Sequence, residues 1–292
     1  MTIDLSTLSA VWNGFFFAPE SGAVLGLFRI LVALLLLWDT WKWIEDHEFF
    51  LCPKGALGWE DYELGFRKHR FSLLNYLPAT SRSVLLVLGL QGVAALALLV
   101  GWLPQLSAFI LFVTLTSIHH RNVYAINSGD TVRRFFCLFL IFAPSGAALS
   151  IGHPGLEGQL ISPWSVRLIQ ILLATLYLRS IFYKIQGQWW REGVATYYVL
   201  RVPTWLHHSV PRWLDRQWFY RFTTWGTLVV ETALFSLVWV TEFRYPVLVA
   251  GVLLHLGLYY FMKIRLFQAT MIVGLFAFVD PGDLLRWLES VG

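Results

Sequence analysis

The residues best equipped for chemistry in this chain lie where hydrocarbon should be. The stretch LYLRSIFYKIQGQWWREG, Leu176 to Gly193, closes an apolar run with Arg179 and Lys184. On a helix Tyr177 and Lys184, seven residues apart, share a face, while Arg179 and Tyr183 share another at a spacing of four. Two readings suit Lys184. It can snorkel from a helix end, with Trp189 and Trp190 marking the membrane interface. Alternatively, removal from water beside a cation such as Arg179 disfavours an ammonium and leaves a neutral amine, a base able to take a proton from a substrate or cofactor.

Other polar residues interrupt apolar runs, each at a cost of about 3 kcal/mol on insertion scales, so each needs a partner or a task. Arg29 stands in LGLFRILVALLLLWDTW with Asp39 near the far end, Glu231 in TTWGTLVVETALFSLVW, and His255 in GVLLHLGLYYFMK. Arg29 either snorkels or pairs with a carboxylate such as Glu231 to fix helix packing, or clamps a planar anion: a carboxylate, a phosphate or bound CO2. In NVYAINSGDTVRRFFCLFLIFAP, Asn127, Ser128, Gly129 and Asp130 form a turn in which Asp130 can cap the next helix. Backbone donors there, next to Arg133 and Arg134, can also hold an anion. His119, His120, His207, His208 and His255 raise a haem protein as a rival class, although only His255 lies at mid-span depth; otherwise it is a hydrogen-bonded core histidine. Cys52 and Cys137 support neither a disulfide framework nor a thiolate site. With no HExxH or paired-cysteine spacing, no metal is expected, and phosphate loops and nucleophile elbows are missing too.

These residues must be positioned by membrane helices. Of 292 residues 57% are hydrophobic and 14% charged, and the mean hydropathy is +0.60. That composition falls outside the soluble range and marks an all-α, polytopic membrane bundle of one domain, residues 1–292. About 20 helical residues cross about 30 Å of hydrocarbon. About eight runs approach that length: Val24 to Trp41, Val84 to Trp102, Gln105 to Ile118, Phe135 to Ile151, Val166 to Lys184, Phe222 to Val240, Pro246 to Met262 and Leu266 to Val279. The third and eighth are short. Before them Leu5, Leu8, Val11 or Trp12, and Phe15 recur at helical spacing, which predicts an interfacial helix stopped by Pro19. Trp205, Trp213 and Trp218, between two runs, predict an interfacial loop helix.

The net charge of +4 comes from loop Lys and Arg that face lipid headgroups, and no basic run suggests nucleic acid. Eight spans put 17 of the 22 Lys and Arg on one side. The positive-inside rule makes that side, which includes Lys184, cytoplasmic in a cell (inner or plasma) membrane, with both termini outside.

Four stretches resemble the HTTM (horizontally transferred transmembrane) domain family, relatives of the membrane part of vitamin K-dependent gamma-glutamyl carboxylase. They are LGLFRILVALLLLWD from Leu25, NSGDTVRRFFCLFLIFAP from Asn127, LYLRSIFYKIQGQWWREGVA from Leu176 and LLHLGLYYFMKIRLFQATMI from Leu253. The third is the most specific: a lysine precedes a tryptophan and an acidic-Gly pair, here Lys184, Trp189 or Trp190, Glu192 and Gly193. The resemblance implies that Lys184 deprotonates a reduced quinone such as vitamin K hydroquinone, in carboxylase-like lyase or quinol-dependent chemistry. The chain departs from the carboxylase at Ser128 and Gly129, where that enzyme has a histidine beside asparagine. It also lacks the large lumenal domain that docks a propeptide, and the carboxylase's active site faces the lumen, opposite to the side that the charge count gives Lys184. The expectation is therefore a membrane enzyme for a lipid-soluble, quinol-like molecule, with Lys184 as base and with Arg29, Asn127, Asp130, Arg133, Tyr177, Arg179 and His255 lining the site. A peptide or protein substrate remains open. The alternatives are a noncatalytic maturation or interaction partner and a haem-type electron-transfer protein.

Overall fold

The computed structural model describes residues 5–156 and 158–291. Its helices cluster in two compact units, residues 1–166 with 280–292, and residues 167–279. Among the described residues the fold is all-α apart from one two-residue antiparallel pair, Glu20–Ser21 with Leu160–Ile161, and an isolated bridge.

In the first unit α1 (Leu5–Phe17) is followed by α2 (Ala23–Phe50), α3 (Trp59–Gly65), α4 (Ser81–Val100), α5 (Pro104–Arg121) and α6 (Ser128–Phe142). The exposed Leu8, Val11 and Trp12 of α1 fit an interfacial helix, which ends just before Pro19. The side chain of Leu5 lies outside the described residues. Local chemistry sets the helix ends. Thr80 accepts from the amide of Ser83 at the start of α4, Pro104 occupies the first turn of α5, and Asn127 and Asp130 form a reciprocal capping box at α6. α2 packs on α4, α4 on α5 and α5 on α6. Within this interior Gln91 Nε2 donates to Thr40 Oγ1 at 2.8 Å, an interhelical polar contact of the kind that binds helices where no water competes.

Arg29 is fully buried in the same unit, and Glu231 is not its partner. Its Nε donates to the Ser145 carbonyl at 2.9 Å, Nη1 to those of Leu98 and Leu99, and Nη2 to those of Ala148 and Leu149. The carbonyls of Leu98 and Leu99 belong to the last turn of α4, the negative end of its dipole. Gly101 closes that helix at φ +70°, and a Cβ there would come 2.8 Å from Arg29 Nη1. Arg29 thus serves as a cationic helix cap.

In the second unit the main helices are α7 (Trp164–Gln186), whose first residues precede it, α8 (Gln188–Arg191), α9 (Ala195–Val199), α10 (Gln217–Ser236), α11 (Thr241–Phe261) and α12 (Arg265–Leu275). α10 packs on α11, α11 on α12 and α9 on α10. α13 (Pro281–Val291) belongs to the first unit and packs on α2. Of the three tryptophans expected on an interfacial loop helix, Trp218 lies in the first turn of α10, whereas Trp205 and Trp213 lie in turns, with Leu206 bridged to Met262. Pro203 and Pro211 interrupt the amide supply that a helix there would need.

Among the described residues five helical segments are long and apolar enough to cross a membrane: α2, α4, α7, Gln217–Trp239 and α11. A sixth arises if Arg265–Phe278 and Pro281–Trp287 form one broken span. The count differs from the eight hydropathy runs for local reasons. α5 reaches 18 residues but carries Ser107, Thr114 and Ser117, and ends in His119, His120 and Arg121. The run from Phe135 to Ile151 is split, because α6 ends at Phe142 and Ala143 precedes Pro144, where the proline ring disfavours helical backbone. α12 has only 11 residues.

Arg29→Met should lower unfolding stability in detergent by about 3 kcal/mol or more, because several buried carbonyls lose a charged donor, and Arg29→Lys should fall between. A denaturant titration of the three proteins measures this. Asp215, in the connection before α10, accepts at Oδ1 from the Tyr220 hydroxyl of α10 at 2.7 Å and from Arg201 Nη2 at 2.6 Å. Hydrogen bonds from Tyr220 and Arg201 hold the Asp215 carboxyl below the usual carboxylate range. A depressed value means that the tie is fully present above the unfolded value of about 4 and is lost as pH falls through the folded one. Hydrogen-exchange protection of Ala195–Val199 should therefore drop in acid in the natural protein and lose that dependence in Asp215→Asn.

Candidate functional site

Four helices of the second unit bring five polar side chains into the apolar interior. Lys184, on α7, pairs through Nζ with Glu231 Oε1 on α10. The ammonium also lies over the Trp190 ring, 4.8 Å from its centroid. Two helical turns before Lys184, the buried Tyr177 hydroxyl meets His255 Nε2 of α11 at 2.9 Å. The other ring nitrogen, Nδ1, lies 2.6 Å from Gln268 Oε1 of α12. With Gln268 as acceptor, the His255 proton sits on Nδ1 and Nε2 accepts from Tyr177, so the chain of hydrogen bonds runs in one direction. Both ring nitrogens are then engaged, which removes the one mid-span histidine from the haem reading.

Two atoms of this centre stand out. Glu231 is 7% exposed and Gln268 0%, yet among the described residues neither Glu231 Oε2 nor Gln268 Nε2 has a hydrogen-bond partner. An unsatisfied buried polar group costs about 1–3 kcal/mol. The pair comprises one acceptor and one donor, a combination that suits an apolar molecule bearing a hydroxyl or carbonyl group.

The first unit has its own polar centre. Arg133 of α6 donates to Asp39 Oδ1 of α2 at 3.3 Å and also to Asp130 Oδ1. His119 Nε2 of α5 lies 3.5 Å from the same Asp130 oxygen. Asp130 Oδ2 and Asn127 are occupied by the α6 cap, where the Asn127 amide donates to Asp130 at 2.5 Å and the Gly129 amide donates to Asn127 Oδ1 at 2.8 Å. Of the donors expected to hold an anion at this turn, the Asn127 and Gly129 amides are engaged in the cap and Arg133 in ion pairs.

The eight residues expected at one site divide accordingly. Tyr177, Lys184 and His255 meet in the second unit; Asn127, Asp130 and Arg133 meet in the first, and Arg29 caps α4. Arg179 is exposed, its guanidinium over the Tyr183 ring at 5.6 Å. The charge beside Lys184 is therefore a carboxylate rather than this cation. Sequence reasoning noted Glu231 only as a partner for Arg29, and Gln268 not at all. A carboxylate within TTWGTLVVETALFSLVW and an amide within KIRLFQATM were the available signals.

The Trp and acidic-Gly pattern after Lys184 has a structural basis. Gly193 adopts φ +75°, and a Cβ there would lie 2.9 Å from the Trp225 ring of α10. That close approach ties the α8 turn to α10, the helix bearing Glu231. A family model for the HTTM domain matches residues 17–282. The chain belongs to the HTTM domain family. The resemblance drawn from its four stretches is borne out, and this HTTM protein is a multi-pass membrane protein. No curated protein and no solved structure matches it. Among its described residues no cluster of His, Cys, Asp or Glu could hold a metal ion.

Arg133→Leu should cost this HTTM protein about 3–5 kcal/mol, since Asp39 and Asp130 lose their buried cation. Adding Asp39→Asn should recover part of that loss, and a double-mutant cycle on unfolding in detergent measures the coupling.

Proposed function

We propose that this HTTM protein is a membrane enzyme that takes up a lipid-soluble, weakly acidic hydroxyl compound of the quinol type and removes its proton at the Lys184–Glu231 pair. The observation that carries the reading is the buried acceptor Glu231 Oε2, without a partner beside a fixed ammonium. A carboxylate left open in a low-dielectric interior costs stability unless a ligand uses it. Tyr177, held by His255, and Gln268 Nε2 are the polar groups that support this reading beside the pair.

A reduced quinone such as vitamin K hydroquinone fits this donor set, as the family resemblance implies; bound there, it would supply an acidic hydroxyl and two-electron chemistry. The chain's own residues hold the hydroxyl, accept its proton and keep bulk water away. Arg29 and the Asn127–Arg133 turn, satisfied by carbonyls and carboxylates, act as scaffold for the first unit.

Mass spectrometry of apolar molecules that co-purify in mild detergent tests the proposal. A quinone should be retained by the natural protein and lost from a Lys184→Ala variant that keeps its unfolding midpoint within a few degrees. Retention by the variant, or full turnover in it, would remove Lys184 from the site. If no apolar ligand co-purifies and a single protein partner does, the protein is a noncatalytic maturation factor, and a visible Soret band would establish haem.

A further inference from the structure

We infer that the proton-accepting atom is Glu231 Oε2, and that Lys184 is its ion-pair partner rather than the base. This assignment rests on the proposed function and divides the work of the pair it names. Lys184 Nζ already makes its charge-assisted contact with Glu231 Oε1 and faces Trp190, an electron-rich surface that suits a cation. A neutral amine would gain little from either neighbour. Glu231, by contrast, has one oxygen engaged and one open in the interior of the second unit.

The charge arithmetic favours the same division. Before transfer, ammonium and carboxylate form a part-buried pair with no net charge. Glu231 Oε2 then takes the proton: the substrate O–H bond breaks, a carboxylic O–H bond forms, and the electron pair stays on the substrate oxygen. Lys184 exchanges one anionic partner for another, so the substrate oxyanion forms beside an ammonium already in place and the site stays neutral throughout, whereas with Lys184 Nζ as the base it would be net negative before and after. If Lys184 Nζ were the base, Glu231 would have to coexist with a neutral amine and then with both an ammonium and a second anion. No redox partner is required for this step.

The test uses the full-length protein in lipid nanodiscs, with anaerobic menadiol as the probe and two readouts: the absorbance shift of the ring on losing its proton, and the infrared C=O stretch of a newly protonated carboxylic acid. The natural protein should show both signals together. Glu231→Gln should bind menadiol yet lower the rate of ring deprotonation about 100-fold or more, with no carboxylic band. Glu231→Asp, which restores a carboxylate, should recover a shifted band and part of the rate, and so guards against a variant that merely misfolds. Ring deprotonation that persists in Glu231→Gln, or that occurs in the natural protein without the carboxylic band, overturns the assignment while leaving the proposed function standing. Failure of the natural protein to bind menadiol overturns both.

Discussion

Hydrocarbon offers no hydrogen bonds, so every charge drawn into a span must be matched by another part of the chain. The structure meets this constraint in three ways. Arg29 is matched by five backbone carbonyls, two of them from the α4 end. Arg133 is matched by the carboxylates of Asp39 and Asp130. Lys184 is matched by one carboxylate oxygen and an indole face. The first uses the fixed dipoles of a helix end and therefore holds that end in place, while the second ties α2 to α6. The third leaves Glu231 Oε2 open, and that surplus acceptor turns a packing device into a candidate site.

Loops make these matches possible by adopting backbone that side chains oppose. Gly101 turns the chain at the end of α4 just where the Arg29 guanidinium arrives, and Gly193 lets the α8 turn approach Trp225. Leu149, whose carbonyl also meets Arg29, sits at φ +51°, a conformation that costs a non-glycine residue about 1–2 kcal/mol. Such strain persists because the buried guanidinium returns more than it costs. Within the second unit, the one-directional chain from Tyr177 through His255 to Gln268 fixes a tautomer and aligns three helices.

Much of the fold was legible in the residues alone. Hydropathy located α2, α4, α7, α10 and α11, Pro19 marked the stop of α1, and Asn127 and Asp130 announced the α6 cap. Hydropathy gave eight runs where five or six helical segments among the described residues are long and apolar enough to cross, because a mean over a window registers apolar content and not whether the backbone stays helical; Ala143–Pro144 broke a run whose side chains remained greasy. The polar residues were equally visible, since Arg29, Asp39, Glu231 and His255 each interrupt an apolar stretch. Their partners were not: Glu231 is 47 residues from Lys184, and His255 is 78 from Tyr177.

Composition and periodicity by themselves determined the solvent, the helical class and the list of groups that need satisfying, because these follow from the transfer free energy of each residue and the 3.6-residue repeat. Only the tertiary structure decided who satisfies whom. Helix packing angles and loop lengths choose between a carbonyl, a carboxylate and a ring as the neighbour of a charge, and no local spacing encodes that choice. For Lys184 the choice fell on Glu231, which put the amine in a charge pair and left Glu231 Oε2 without a hydrogen-bond partner among the described residues.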